Sequence, residues 1–136
     1  MKPPEEAKRR LVAEWLDKAA GDLEAARILA EQRPAVAFAA AFHAQQTVEK
    51  ALKAFLTSRQ VEFPKTHDLA ALLDLVAKAD PALAGTIREV VELTPYGVDA
   101  RYPGDASPPD AVELKRAVAL ADGTLRAVRQ ALGQAH

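Results

Sequence analysis

The sequence predicts an all-α protein, an antiparallel up-and-down helical bundle of four main helices plus one short helix. Alanine is the dominant residue, glycine is scarce, and aromatic residues make up only 5% of the 136 residues, a composition that favours helices over strands. Apolar residues recur at three- and four-residue spacing over long stretches, which is the period of a helix that buries one side. No segment shows the convincing alternation of a half-buried strand.

Prolines and apolar rows define the first two helices. Pro3 and Pro4 suit a first helical turn, and the first helix is predicted to extend from there to about Gln32. Pro34 begins the second helix, which reaches about Arg59. Both helices carry an apolar row that indicates packing in a bundle. The row comprises Val12, Trp15, Leu16, Ala19, Leu23, Ala26 and Ala30 in the first helix, and Ala37, Ala41, Ala44, Val48, Ala51, Leu52 and Phe55 in the second.

Polar capping residues mark the starts of the next two helices. Thr66 is a suitable N-cap for a third helix over residues 67–78. Asp80, followed by Pro81, begins a short helix that extends to about Leu93. Both starts combine a side-chain oxygen with a following apolar pattern, as expected where a helix begins.

A long loop is predicted between the short helix and the last one. Residues 94–109 carry four prolines, two glycines and no helical period, and loops longer than about 12 residues in compact domains are often functional. The segment Ser107-Pro108-Pro109-Asp110 then matches a capping-box start with prolines in the first turn. The buried row of the last helix is predicted to be Leu114, Ala117, Val118, Ala121, Leu125, Val128 and Leu132.

Length and charge limit the classes of function. A chain of 136 residues suits a single domain, residues 1–136, with one hydrophobic core. With 18 Lys+Arg against 19 Asp+Glu, the net charge of -1 gives no overall basic field, so any contact with nucleotide or RNA has to be local. The absence of cysteine excludes disulfides and cysteine zinc sites. No segment matches a signal peptide or a membrane span, so we expect a soluble, cytoplasmic protein.

Four polar residues form a stripe along the second helix, nearly opposite its apolar row. They are His43, Gln46, Lys50 and Lys53. One interpretation is a polar groove that holds a phosphate or an opposing chain. The other is a solvated helix face in which Glu49 and Lys53 form an i,i+4 ion pair. The residues alone leave both interpretations open.

Two further pairs of residues are candidates for ligand binding. His67 and Asp68 are adjacent and do not share a helical face, so we expect Asp68 to serve the helix terminus and His67 to pack or hydrogen-bond there. In the long loop, Arg101 can bind a phosphate and Tyr102 can stack on a base. Equally, Arg101 can pair with a carboxylate while Tyr102 packs against the bundle. The three histidines, at 43, 67 and 136, lack the spacing of metal ligands, so no metal site is expected.

Three segments together resemble the HEPN domain family of small prokaryotic helical proteins. They are AFAAAFHAQQTVEKALKAFL at 37–56, THDL at 66–69 and VDARYPG at 98–104. The opening EWLDKAAGDLEAARILA and the last helix are also similar, so the resemblance covers about residues 14–132. The resemblance implies a bundle of antiparallel helices, often dimeric, which serves either as the partner of a minimal nucleotidyltransferase or as an RNA-cleaving toxin.

The resemblance also implies what a nuclease of this family requires. Its ribonucleases carry an Arg, four to six further residues and then a His, which places a phosphate-binding cation and a proton-transfer group in one cleft. The nearest spacing here is Arg59 to His67, with seven residues between them, and Arg101 is followed by no histidine until His136. Gly-rich phosphate loops, G-x-S-x-G elbows and paired carboxylates are also lacking. We therefore expect no catalytic residue and no cofactor.

The sequence thus favours a non-catalytic subunit that binds nucleotide or substrate and pairs with a separately encoded minimal nucleotidyltransferase. The alternatives are an RNA-cleaving toxin of the same family and a pure protein-interaction module. A homodimer is expected, because the alanine-rich faces leave apolar surface on the first or second helix for a twofold partner. The candidates for ligand binding are His43, Gln46, Lys50, Lys53, His67, Arg101 and Tyr102.

Overall fold

The computed structural model describes residues 4–32, 36–97 and 107–133, and every regular element in these three segments is helical. The predicted all-α class is confirmed. No helix within them is both long and apolar enough to cross a membrane. The elements are α1 (Glu5–Ala30), α2 (Ala37–Ser58), α3 (Leu69–Ala79), α4 (Pro81–Thr86), a 3₁₀ helix (Arg88–Gly97) and α5 (Ala111–Ala131).

The fold is built around α2. It contacts α1 along its length and also touches α3, α5 and the 3₁₀ helix. The middle and second half of α2 are buried on almost all sides as a result. α1 and α2 run in opposite directions, because Asp22 of α1 lies near His43, whereas the earlier Trp15 lies near the later Lys53.

The apolar rows of α1 and α5 cover this central helix. Most of the predicted members are buried, and the remainder, Trp15, Ala30, Val118 and Leu132, are half-buried. The predicted helix starts at Pro3 and Pro34 lie outside the described residues. Regular three- and four-residue spacing therefore identified the core faces correctly. The largest fully buried side chains in the core are Phe55, Leu52, Leu56, Leu69, Leu72 and Leu93.

The start of α3 differs from the prediction. Asp68, not Thr66, is the N-cap, and its carboxylate accepts a hydrogen bond of 3.0 Å from the backbone N–H of Ala70. Thr66 Oγ1 accepts a bond of 3.0 Å from the N–H of Asp68 and so shapes the turn before the helix. A carboxylate is the better cap here, because its charge also interacts favourably with the helix dipole.

The predicted short helix is divided into two elements. Asp80 caps α4 as expected, since its carboxylate accepts a bond of 3.0 Å from the N–H of Leu83. The helix stops at Thr86, however, and Arg88–Gly97 forms a separate 3₁₀ helix. A glycine and two β-branched residues at the junction are weak helix formers, which favours the break. The prediction of one helix to Leu93, followed directly by a loop, was wrong.

α5 begins later than predicted. Asp110 is its N-cap and forms a capping box with Glu113, in which each carboxylate accepts from the other residue's backbone N–H at 2.8 and 2.9 Å. Ser107 and the two prolines precede the helix and do not form its first turn. A proline disfavours helical geometry in the residue before it, so Ser107 and Pro108 are excluded from the helix.

Candidate functional site: the polar side chains of α2

The predicted polar stripe of α2 does not face solvent as one surface. Gln46 and Lys53 are buried, while His43 and Lys50 are half-buried. His43 and Lys50 contact α1, and Lys53 lies between α1 and the connection that follows α2. The interpretation as a solvated helix face is therefore wrong. The stripe instead belongs to two buried or half-buried polar clusters.

The first cluster, the Asp22 cluster, consists of Asp22, His43 and Lys50. His43 Nδ1 lies 2.7 Å from one carboxylate oxygen of Asp22, and Lys50 Nζ lies 2.6 Å from the other. A carboxylate can only accept, so Nδ1 of His43 is the donor. The side chains of His43 and Lys50 are 32% and 22% exposed. The cluster therefore links α1 to α2 and remains open to solvent on one side.

The second cluster, the Glu49 cluster, consists of Glu49, Gln45, Gln46, Lys53 and His67. The Glu49 side chain is only 5% exposed and receives Lys53 Nζ at 2.9 Å and His67 Nδ1 at 2.8 Å. Gln45 Nε2 donates to the same carboxylate at 3.2 Å, while its Oε1 accepts from Gln46 Nε2 at 2.8 Å. Buried charges are tolerated only when they are paired and hydrogen-bonded. The predicted Glu49–Lys53 pair exists, but in the interior.

Two aromatic rings complete the surroundings of Lys53. Its Nζ lies 5.6 Å from the ring centroid of Trp15 and 5.7 Å from that of Phe63, distances at which an ammonium is attracted to a ring face. The two rings meet edge to face at 6.4 Å. Lys53 is thus held by a carboxylate and two rings, and it reaches an external anion only by leaving them.

Electrostatics keep Glu49 ionised despite its burial. Burial is the largest single influence and by itself raises the pKa of a carboxyl group. The hydrogen bonds from Lys53, His67 and Gln45, together with the charge of Lys53, outweigh burial, so the pKa of Glu49 lies below its ordinary value. The cluster therefore contains a carboxylate, not a carboxylic acid, at neutral pH.

His67 is the outward-facing member of the Glu49 cluster. Its side chain is 68% exposed, although its Nδ1 is bound to the buried Glu49. The adjacent Asp68 caps α3 and does not pair with it. As predicted, His67 and Asp68 form no dyad. The structure instead presents the His67 imidazole at the surface, oriented by a carboxylate from α2.

The chain passes closely over the Glu49 cluster at Gly97, the last residue of the 3₁₀ helix. A Cβ atom placed on Gly97 comes within 3.1 Å of Gln45 Nε2 and 3.3 Å of His67 Cβ. Only glycine allows so close an approach without displacing a neighbour. Arg101 and Tyr102, the other predicted ligand-binding residues, lie outside the described residues.

Three residues of these clusters were not among the predicted binding candidates: Asp22, Gln45 and Glu49. The sequence contained a signal for Glu49 and Gln45, because they are polar residues within a largely apolar helix. Polar side chains that are buried in this way need hydrogen-bonding partners. It contained no comparable signal for Asp22, because an aspartate on a helix with many charged residues is normally expected at the surface. Its role depends on how α1 is placed against α2.

Neither cluster has the composition of a metal site. Within residues 4–32, 36–97 and 107–133, no three histidine, aspartate or glutamate side chains converge as metal ligands. In both clusters the carboxylate oxygens are already bound by lysine and histidine. What the arrangement can do is orient an imidazole and hold positive charge near the surface.

A family model described as the HEPN domain matches residues 12–131. The matched region begins in α1 and ends at the last residue of α5, so it includes every residue of both polar clusters. No curated protein and no solved structure matches the chain.

Proposed function

The chain belongs to the HEPN domain family, and we propose that it is a non-catalytic subunit that binds nucleotide or substrate for a separately encoded minimal nucleotidyltransferase. HEPN domains are associated with RNA cleavage, with toxins or with nucleotide-related roles. The choice among these roles depends on which side chains the histidines of this chain contact.

The observation that carries the proposal is that His67 and Arg59, the pair whose spacing comes nearest to that of the family's nucleases, are held by different partners. The guanidinium of Arg59 lies 4.8 Å from the ring centroid of Phe55 and donates to the backbone oxygen of Ala79. His67 is bound to Glu49 instead. General acid–base cleavage needs the cation and the proton-transfer group at one phosphodiester, and these two side chains have other partners.

The predicted ligand-binding residues divide into two groups under this proposal. His67, His43 and Lys50 are exposed enough to touch a ligand or a partner chain. Gln46 and Lys53 are buried and act by holding Glu49 and its neighbours. Arg101 and Tyr102 remain candidates from the sequence alone. A homodimer also forms part of the proposal, since HEPN domains often dimerise.

Co-purification tests the proposed partnership. The tagged chain is co-expressed with a small chain bearing a nucleotidyltransferase signature from the neighbouring reading frame, and we expect a stable complex that binds ATP more tightly than either chain alone. His67→Ala should weaken ATP binding by the complex without lowering the melting temperature greatly, because the imidazole is largely exposed. A complex that fails to form with such a chain contradicts the proposal.

One observation favours the second candidate, RNA cleavage. A surface imidazole backed by a buried carboxylate is the orienting arrangement found in general-base catalysis, and Glu49 and His67 have it. Incubation of the purified chain with mixed RNA separates the two functions, with His67→Ala and His43→Ala as matched variants. We expect no cleavage. Cleavage that His67→Ala abolishes and His43→Ala preserves would replace the binding role by the nuclease role.

A further inference from the structure

A groove between α1 and α5 is large enough for a small ligand. It reaches Thr86 of α4 and has a volume of about 870 Å³. Ligand sites commonly measure about 300–1,000 Å³. No residue of α2 lines it, so the groove is separate from both polar clusters.

Three arginines give this groove an excess of positive charge in a chain whose net charge is -1. Arg27, Arg126 and Arg129 line it, against only two carboxylates, those of Glu24 and Asp122. The guanidinium is planar and carries five N–H donors, a geometry that suits phosphate oxygens. The lining therefore favours an anion over a neutral or cationic ligand.

Asp122 brings two of the guanidiniums together. One of its oxygens lies 3.0 Å from Nη2 of Arg27 and the other lies 3.0 Å from Nη2 of Arg126. Each guanidinium keeps further N–H groups for a ligand, because one ion pair uses only part of its donor set. Arg129 forms no ion pair with any carboxylate in the described parts of the chain. Its charge is not neutralised within the groove.

The lining of the groove includes three small residues. They are Ala20, Gly123 and Ala127, and a Cβ atom on Gly123 would meet no other atom within 4 Å. These residues leave the groove free of bulky side chains at their positions. No aromatic residue is among those that line the groove, so a base has no ring to stack on.

We propose that the α1–α5 groove binds a ligand carrying a chain of phosphate groups, held by Arg27, Arg126 and Arg129. Recognition is of the phosphates, whether they belong to an inorganic oligophosphate or to a nucleoside triphosphate. Three guanidiniums can engage several phosphates of one ligand. A ligand that carries a single carboxylate has too little negative charge to bind all three. The site does not depend on the partner proposed above, since it shares no residue with the Glu49 cluster.

Calorimetric titration of the full chain with tripolyphosphate, ATP and adenosine tests the ligand class. In about 50 mM salt we expect tripolyphosphate and ATP to bind with dissociation constants within about threefold of each other, and adenosine not to bind. Raising the salt to about 500 mM should weaken both anions about tenfold. Failure of both anions to bind, or binding of ATP and adenosine without tripolyphosphate, overturns the proposal.

Paired glycine variants test the location. Gly123→Leu adds a side chain at a residue that lines the groove, whereas Gly21→Leu adds the same side chain to α1 at a position that is equally open and does not line the groove. Both substitutions replace a helical glycine and should not reduce the melting temperature. We expect Gly123→Leu to abolish tripolyphosphate binding, Arg129→Gln to weaken it about tenfold, and Gly21→Leu to leave it unchanged. Equal affinity in the two leucine variants overturns the assignment.

Discussion

At the scale of single residues, the polar side chains of α2 owe their positions to burial. Each member of the Glu49 cluster that lies inside the protein has a hydrogen-bonding partner, and Lys53 has two aromatic neighbours as well. Loss of one partner leaves the other charge in a region of low dielectric constant. Substitutions of the buried members of this cluster should therefore affect stability before they affect any ligand.

Lys53→Met should destabilise the protein strongly. The substitution leaves the buried Glu49 carboxylate without the lysine ammonium that pairs with it, and removal of one partner of a buried ion pair costs about 3–5 kcal/mol. Lys50→Met is the matched control, because its pair with Asp22 is more exposed and should cost about 1 kcal/mol or less. Urea unfolding measures both free energies. Equal costs would show that Lys53 is not held as described.

Stability should fall in acid partly because of Glu49. Its pKa is lowered in the folded protein from the ordinary value of 4.5, so the unfolded chain takes up the proton more readily. The contribution is therefore complete above about pH 4.5 and is lost as the pH falls through the lower, folded pKa. Melting temperatures from pH 7 to pH 3 should show a shallower decline in Glu49→Gln than in the wild-type protein.

Glu92→Gln controls for the pH experiment. The pKa of Glu92 is also lowered, mainly by its hydrogen bond with Arg116, but this pair lies at the surface. Water and salt screen such a pair, so its contribution to the acid dependence should be small. A larger change in Glu92→Gln than in Glu49→Gln would contradict the role assigned to the buried carboxylate.

At the scale of elements, helix starts and close approaches follow local chemistry. Asp68, Asp80 and Asp110 each cap a helix through their own carboxylate. Gly97 ends the 3₁₀ helix where it crosses the Glu49 cluster. The three caps fix where α3, α4 and α5 begin.

Asp110→Ala should destabilise the protein by about 1 kcal/mol, because the backbone N–H of Glu113 loses its acceptor. Ser107→Ala is the control, since Ser107 precedes α5 and should have an effect within about 0.5 kcal/mol. Chemical denaturation of both variants gives the comparison. The reverse order of effects would place the helix start at Ser107, as the sequence suggested.

Gly97→Ala should destabilise the protein by about 1–3 kcal/mol. The added methyl group would approach Gln45, whose amide is fixed by Glu49, Gln46 and the backbone oxygen of His67, so it cannot shift freely. Gly85→Ala is the matched control, because that position in α4 is open. We expect Gly85→Ala to be neutral or slightly stabilising in thermal melts. Equal melting temperatures would refute the close approach.

At the scale of the whole molecule, association depends on which helix retains apolar surface. α2 was one of two helices expected to supply it, yet α2 is buried over most of its length. α1 keeps Leu11 and Ile28 at 51% and 56% exposure. We therefore expect the proposed twofold contact to involve α1.

Light scattering at micromolar concentration should give twice the 14.6 kDa mass of one chain. Leu11→Glu or Ile28→Glu should shift the protein towards the monomer, because a charge in an apolar contact is unfavourable. Val91→Glu, on the 3₁₀ helix, is an exposed control that should leave the mass unchanged. A wild-type protein that remains at 14.6 kDa rejects the dimer.

The sequence by itself determined the helical class, the buried rows of α1 and α5, and the cap at Asp80. Each of these depends on residues within one helix, where spacing and side-chain type act directly. It also identified Lys53 and His67 as residues of interest, although it did not reveal that both bind Glu49. The division of the predicted short helix was missed, because weak helix formers compete with packing that the local sequence does not show.

Only the tertiary structure decided which polar residues meet. His43 and Lys50 bind Asp22 across 21 and 28 positions of sequence, and His67 binds Glu49 across 18. Such contacts depend on how one helix is rotated and placed against another. Periodicity in a single helix shows which face is apolar but not which partner covers the other face. For that reason the sequence left open whether the stripe of α2 faces solvent, and only the structure showed that α1 and the connection after α2 cover much of it.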